Sequence, residues 1–344
     1  MKKQKAAILV SIAVILVLIA AIFIGIKIKS EHTLSSHEQS SMSSSEQDPF
    51  RENGTAIERA PGSSNYITAD VITPNPENMT LTYNGSPVLV TYQFQCEKPC
   101  TMGLMIFVNG ILQPYTVVST GEETTMHTVE MSEKDTQQFQ FEFTPVCGKS
   151  GDELVVIFAN VYNAKVMELS GDVNTFGNNH KISQPQPWTL KLNADSENMA
   201  FGISNDFKTK EFSAEDKSNF IKTDLNGNRR DQLDNCCYIE IRQNGVLLDS
   251  QATMSQSSGN NLELYIYGNL TGKYRISLYG DFSRIPINGY DYIEVDIKKG
   301  EYTVVPFVFS ADDVKKYKNV FAILAPMEFE NSLSKSPSIY IKNK

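Results

Sequence analysis

The side chains able to do chemistry in this 344-residue sequence are few and scattered: four histidines, five cysteines and 40 acidic residues. His32 and His37 lie just behind an amino-terminal apolar run, which leaves His127 and His180 for acid–base work at neutral pH. Neither sits in a recognisable nucleophile and base spacing, and both read as surface residues. A glycosidase-type carboxylate pair needs no proximity in sequence, so the acidic residues single out no pair. The sequence contains no Gly-x-Ser-x-Gly elbow and no His-Glu-x-x-His pair. Gly148-Lys149-Ser150 has the ending of a phosphate loop, but Phe143 stands where the first glycine belongs, and strand-like sequence follows instead of a helix. It reads as a β-turn.

The cysteines are more informative. Cys96 and Cys100 flank Glu97-Lys98-Pro99. If those three residues close a hairpin, the cysteines face each other with α-carbons about 4.5–5.5 Å apart, within disulfide range. An oxidising location favours that bond, and Cys147, at another strand end, is the rival partner. Adjacent Cys236 and Cys237 would point to opposite faces of a strand and are expected as separate thiols. The alternative for all five is the reduced state, as small apolar side chains.

One stretch has the look of a metal loop. Asp224, Asn226, Asn228, Asp231 and Asp234 offer oxygens at short spacings, and the opening Asp-Leu-Asn-Gly-Asn resembles the start of EF-hand or dockerin-type calcium loops. The pattern then departs. Arg229 and Arg230 occupy the glycine position and its neighbour, the twelfth residue is Asn235 rather than Glu, and two arginines repel a divalent cation. An Asx-rich surface loop is the expectation, with no cofactor.

The elements that must position these residues begin with residues 6–26, an apolar run whose only polar side chain is Ser11. As a helix, 21 residues rise about 30 Å, the thickness of a bilayer core. The run exceeds the usual signal-peptide apolar region and lacks a small-x-small close, so it reads as a transmembrane anchor holding the chain to the lipid bilayer. Lys2, Lys3 and Lys5 place residues 1–5 in the cytoplasm and the bulk outside. Residues 27–64 are Ser-rich, poor in aliphatics and without period, and read as a disordered stalk. Residues 33–344 carry 26 basic and 39 acidic side chains, a net of −13, which argues against a nucleic-acid partner.

Beyond the stalk the hydrophobic period is two. Val88, Val90, Tyr92 and Phe94 alternate with Leu89, Thr91, Gln93 and Gln95, and Phe139, Phe141 and Phe143 with Gln138, Gln140 and Glu142. Asn109-Gly110, between apolar runs, predicts a hairpin with a type I′ turn, and Asn244-Gly245, between Tyr238–Gln243 and Val246–Asp249, a second Asn-Gly hairpin. Leu154 to Val161 is nearly all apolar, as a strand covered on both faces would be, although period alone also allows a short buried helix. Ser310, Asp312, Asp313 and the lysines that follow predict one short helix near 311–318. The fold expected is all-β: two antiparallel β-sandwich (Ig-like) domains, 65–170 and 188–344, joined by a polar connector at 171–187.

A stalked pair of β domains with no catalytic signature implies a non-enzymatic surface protein, binding a protein or cell-envelope polymer (polysaccharide) through loops or sheet edges. A structural subunit of an envelope or secretion assembly is the alternative, with small residues such as Ala7, Ser11, Ala21 and Gly25 giving the transmembrane helix a contact face. An extracytoplasmic hydrolase is the third reading. The lysine-rich start and sparse cysteine suggest a Gram-positive bacterial surface, while four Asn-x-Ser/Thr sequons at Asn53, Asn78, Asn84 and Asn269 keep a eukaryotic one open.

Overall fold

Alternating apolar residues need a core on one side, and the chain supplies that core by pairing sheets. A computed structural model describes residues 58–59, 66–74, 78–169, 176, 179–184, 186–196, 202–204, 207, 209–223, 229–231, 233–234 and 236–343. Residues 6–26, expected to cross the membrane, and most of the 27–64 stalk lie outside them. Among the described residues no helix is long and apolar enough to cross a membrane.

The protein is nearly all-β. In the first sandwich, the outer sheet is built on Tyr66–Thr73, Val88–Cys96 and Asp135–Phe143, with Tyr115–Val117 at its far side. Facing it is a sheet of Thr80–Tyr83, Trp188–Leu192, Glu153–Tyr162 and Cys100–Val108. Tyr92, Phe94, Phe141, Phe158 and Trp188 fill the space between them. The second sandwich repeats the arrangement. Its inner sheet contains Tyr292–Ile297, Gly272–Gly280, Asn319–Pro326 and Ile339–Asn343, and its outer sheet Glu301–Phe309, Asn260–Gly268 and Cys237–Gln243. Ile241, Leu264, Ile276, Phe309 and Leu324 are among the residues packed between those two.

The two inner sheets also pack on one another. Strand alternation sends Met105, Phe107, Val155 and Ile157 out of the first sandwich, and they meet Tyr279, Phe282, Phe321 and Ile323 of the second in a third apolar core. A strand buried on both faces has no polar side to show, which explains the nearly all-apolar Glu153–Tyr162, where Asn160 is the buried exception, and Asn319–Pro326 after its first residue. Polar links border this join: Arg275 Nη1 donates to Asn109 O at 2.7 Å, Leu333 N to Gln184 Oε1 at 2.9 Å, and Lys318 pairs with Glu168.

Both Asn-Gly turns have left-handed backbone at both positions, φ 49° and 77° at Asn109-Gly110 and 53° and 77° at Asn244-Gly245, as a type I′ hairpin requires. The helix spans Ala311–Lys316, with Ser310 as N-cap in a capping box with Asp313. A second capping box, Ser213 with Asp216, starts an Ala214–Asn219 helix that the sequence reading did not contain.

Three features differ from the sequence expectation. Trp188–Leu192, the expected start of the second domain, pairs with Glu153–Tyr162 and, in parallel, with Thr80–Tyr83, so it completes the first sandwich. Its alternation only says that one face is buried, not against which partner. Pairing is not purely antiparallel either: Gly202–Ser204 with Tyr292–Ile297 and Gln251–Met254 with Ile339–Asn343 also run parallel. The third difference concerns cysteine. Val88–Cys96 and Cys100–Val108 do not form a hairpin, because the chain crosses at Glu97-Lys98-Pro99 from one sheet to the facing one.

Candidate functional site

On the outer sheet of the second sandwich, inward positions go to Ile239, Ile241, Leu264 and Ile266, so the intervening residues face outward. Tyr238, Glu240 and Arg242 therefore form one row, Glu263, Tyr265 and Tyr267 the next, and Tyr302, Val304 and Pro306 a third. Register sets Tyr238 opposite Tyr267, Glu240 opposite Tyr265, and Tyr267 opposite Tyr302. Cross-strand neighbours lie close enough for rings to meet.

The rings do meet. Tyr265 and Tyr302 are stacked at 5.7 Å within 9° of parallel, and Tyr238 and Tyr267 at 5.4 Å within 27°. Phe212 and Phe220, on either side of the Ala214–Asn219 helix, close over the end of this face. Phe212 is 5.1 Å from Tyr302 and 5.7 Å from Tyr267, and Phe220 is 5.8 Å from Tyr267. The Arg242 guanidinium lies 4.1 Å from the Tyr265 centroid while Nε and Nη2 both donate to Glu240 Oε2, at 2.8 and 2.6 Å. Tyr267 OH donates to the other Glu240 oxygen at 2.5 Å. Burial, and then the Glu240 carboxylate beside it, hold the Tyr267 hydroxyl protonated far above the ordinary tyrosine range. Beyond Tyr265, Asn244, Asn261, Glu263, Asn288 and Pro306 border an open depression of about 410 Å³.

Large rigid rings held by one another and by an ion pair give contact area at little cost in side-chain entropy. Tyrosine and arginine are also the residue types that dominate binding energy at protein interfaces. Tyr238 is 37% exposed at the end of the array, and Val308 58% at the other corner of the sheet. Sequence reading missed this face because it followed the inward positions Leu262, Leu264 and Ile266. The signal lay in the complementary register, where Tyr265 and Tyr267 fall on what should be the solvent side.

A second cluster has the atoms of a nucleophile and its base but not the access. Ser338 Oγ is 3.0 Å from His180 Nδ1 and accepts from Lys335 Nζ at 2.9 Å. Ser338 and His180 are both fully buried at the join of the sandwiches, so a substrate has no route to them. His180 is thus a core residue rather than the surface residue expected. His127 is half-buried against Phe139, and burial lowers its proton affinity.

Of the residues considered for calcium, Asp224, Asn226 and Asn228 lie outside the described residues. Asp231 ends a two-stranded ladder of Ile221–Thr223 with Arg229–Asp231, and its Oδ1 accepts from Leu233 N at 2.9 Å. Asp234 Oδ1 is engaged by Asn269 Nδ2 at 3.0 Å and by Lys299 at 3.4 Å. Among the described residues no three His, Cys, Asp or Glu gather as a metal site would need. No disulfide joins the described cysteines. Cys96 Sγ faces Ser132 O at 3.2 Å, and Cys147 Sγ lies 3.9 Å from Val108 O. Cys100 and Val108 are the two ends of one strand, about 26 Å apart at ~3.3 Å per residue, so the rival pairing of Cys147 with Cys100 is out of reach. Cys96 is likewise at the far end, opposite Asp135, whereas Cys147 follows Phe143.

No protein-family model matches the chain, and no curated protein does. Among solved structures, a C. elegans MSP family member is similar at 13% identity, covering 37% of this chain and 96% of its own, with a TM-score of 0.20. The chaperone–tip adhesion subunit pre-assembly complex of Acinetobacter baumannii Csu pili is similar at 10% identity over 76% of this chain and 95% of that one, with a TM-score of 0.19. A Salmonella enterica SafA pilin in complex with the SafB chaperone has 8% identity, coverage of 78% and 95%, and a TM-score of 0.21.

Proposed function

We propose that this chain is a non-enzymatic binding protein that holds two joined β-sandwiches outside the cell membrane and recognises its partner through the aromatic face of the second sandwich. The anchor in this reading is residues 6–26, with the amino terminus in the cytoplasm. What carries it is the array of Tyr238, Tyr265, Tyr267, Tyr302 and Arg242 on the outward side of the sheet, with Tyr238 37% exposed at its end. The partner is a protein or a cell-envelope polymer. A protein is favoured because the rings pack against one another and against Arg242, which occupies ring faces that a sugar would need for stacking.

A photocrosslinking residue placed at Tyr238 in intact cells tests this, with the same residue at Gln138 on the outer sheet of the first sandwich as the comparison. Discrete crosslinked species from position 238 and not from 138 are expected. Equal crosslinking from both, or none from 238, overturns the assignment. Protease added to the same cells should release a fragment containing both sandwiches; full protection would remove the extracellular placement.

A further inference from the structure

His180, two residues before the Ile182–Ser183 strand of the first sandwich, is fully buried against the second. There Phe282 meets the imidazole edge-to-face at 5.0 Å, while Phe176 packs on His180 and on Tyr340. We propose that His180, Ser338 and Lys335 form a proton-operated latch between the two sandwiches, closed near neutral pH and released by acid.

The hydrogen bonds around His180 suit a neutral imidazole. Nε2 lies 2.6 Å from Val166 O, which can only accept, so Nε2 carries the ring proton. In the neutral ring Nδ1 then accepts, and the Ser338 hydroxyl at 3.0 Å is its donor. Ser338 Oγ in turn accepts from Lys335 Nζ, which also donates to Ser336 O, both at 2.9 Å. The chain runs one way, from Lys335 through Ser338 and His180 to Val166. A proton added at Nδ1 sets N–H against O–H and leaves the serine proton without an acceptor. It also places an imidazolium beside the Lys335 ammonium, with Lys181 adding a further positive charge next in sequence. Besides Lys335, the second sandwich brings the titratable Tyr340 near, across Phe176. Farther along the same segment Glu168 is held by Lys318.

Burial, and then the charge of Lys335, lower His180 to about 3. Burial, and then Lys181, lower Lys335 to about 7. An opened latch returns His180 to its ordinary value near 6.5 and Lys335 to near 10.5. The open state therefore binds protons more readily. The closed-to-open ratio falls through the Lys335 range down to pH 7, and below about 6.5 His180 lowers it about tenfold per pH unit. Roughly thirtyfold is lost by pH 5.

Hydrogen–deuterium exchange of the full-length protein, corrected for intrinsic rate, reads this directly. Peptides covering 319–326 and 334–341 should open about fifteenfold more at pH 5 than near pH 6.5, relative to the 88–96 strand of the first sandwich. His180→Gln, whose amide can accept from Ser338 and donate to Val166, should keep neutral-pH protection and lose the acid response. The same acid response in His180→Gln, no response in the wild type, or equal opening at 88–96 overturns the latch. Should His180→Gln already be open at pH 7.5, the wild-type imidazole decides by NMR. Titration below about pH 4 with the join closed supports the latch, and titration near 6.5 with the join closed overturns it.

Discussion

At the scale of single residues, neighbours matter more than residue type. Lys335 is a lysine whose ammonium lies between Ser336 O, Ser338 Oγ and the Phe321 ring, and it is lowered to about 7 by burial. Because folding depresses its proton affinity, the unfolded chain binds that proton more tightly. Stability contributed here is present at high pH, is lost as pH falls from about 10.5 to about 7, and is flat below. Between pH 7 and 9, wild-type stability to urea should therefore rise by more than that of Lys335→Met. Parallel slopes for the two would show that the ammonium is not desolvated as drawn. The cysteines give a second test at this scale. Under oxidising conditions, peptide mapping should find Cys147 linked to neither Cys96 nor Cys100, since a nine-residue strand separates the positions. Finding either bond would mean that the first sandwich is not folded in this way. On the aromatic face, Tyr238→Ala should weaken partner binding about tenfold while changing stability by only a few tenths of a kcal/mol, because the ring is more than a third exposed.

At the scale of elements, the two Asn-Gly turns form a matched pair. Gly110 and Gly245 share φ of 77°, so alanine costs each about 1–2 kcal/mol of left-handed strain. Their surroundings differ. A β-carbon on Gly245 meets nothing within 4 Å, whereas one on Gly110 comes within 3.0 Å of Ala325 O and 3.1 Å of the Arg275 β-carbon. Gly110→Ala should thus be the more destabilising of the two in denaturant melts, and the difference reports how closely the hairpin tip presses on the second sandwich. Equal losses would mean that the tip is loose. The sequence showed both turns through the same dipeptide, yet their distinct roles depend on atoms more than 160 residues away.

At the scale of the whole molecule, the third core decides behaviour. Phe321 is fully buried between the inner sheets, and Phe321→Ala should cost about 3–5 kcal/mol although it belongs to neither sandwich interior. Calorimetry at pH 7.5 should show the two sandwiches unfolding in one transition, because separating them exposes Phe107, Ile157, Phe321 and Ile323 to water together. Two separated transitions at that pH would show that the join is weaker than its apolar content implies.

What the sequence determined by itself was whatever depends on short-range pattern. Period-two alternation in Val88–Cys96 and Asp135–Phe143 marks half-buried strands, Asn-Gly marks type I′ turns through the φ they demand, and Ser310 with Asp313 marks a helix start. The nearly all-apolar Leu154–Val161 run even announces a strand covered on both sides. Only the tertiary structure decided what lies on each side. Alternation is the same whether a strand pairs with its neighbour or crosses to the facing sheet, which is why Cys96 and Cys100 resembled hairpin flanks. Trp188–Leu192 has the pattern of any half-buried strand, and only the register with Glu153–Tyr162 and Thr80–Tyr83 assigns it to the first sandwich. His180 and Lys335 are 155 positions apart, and nothing local to either foretells a shared Ser338. Contacts between distant segments are settled by how the sheets stack, and that depends on the sum of all apolar faces rather than on any one stretch of chain.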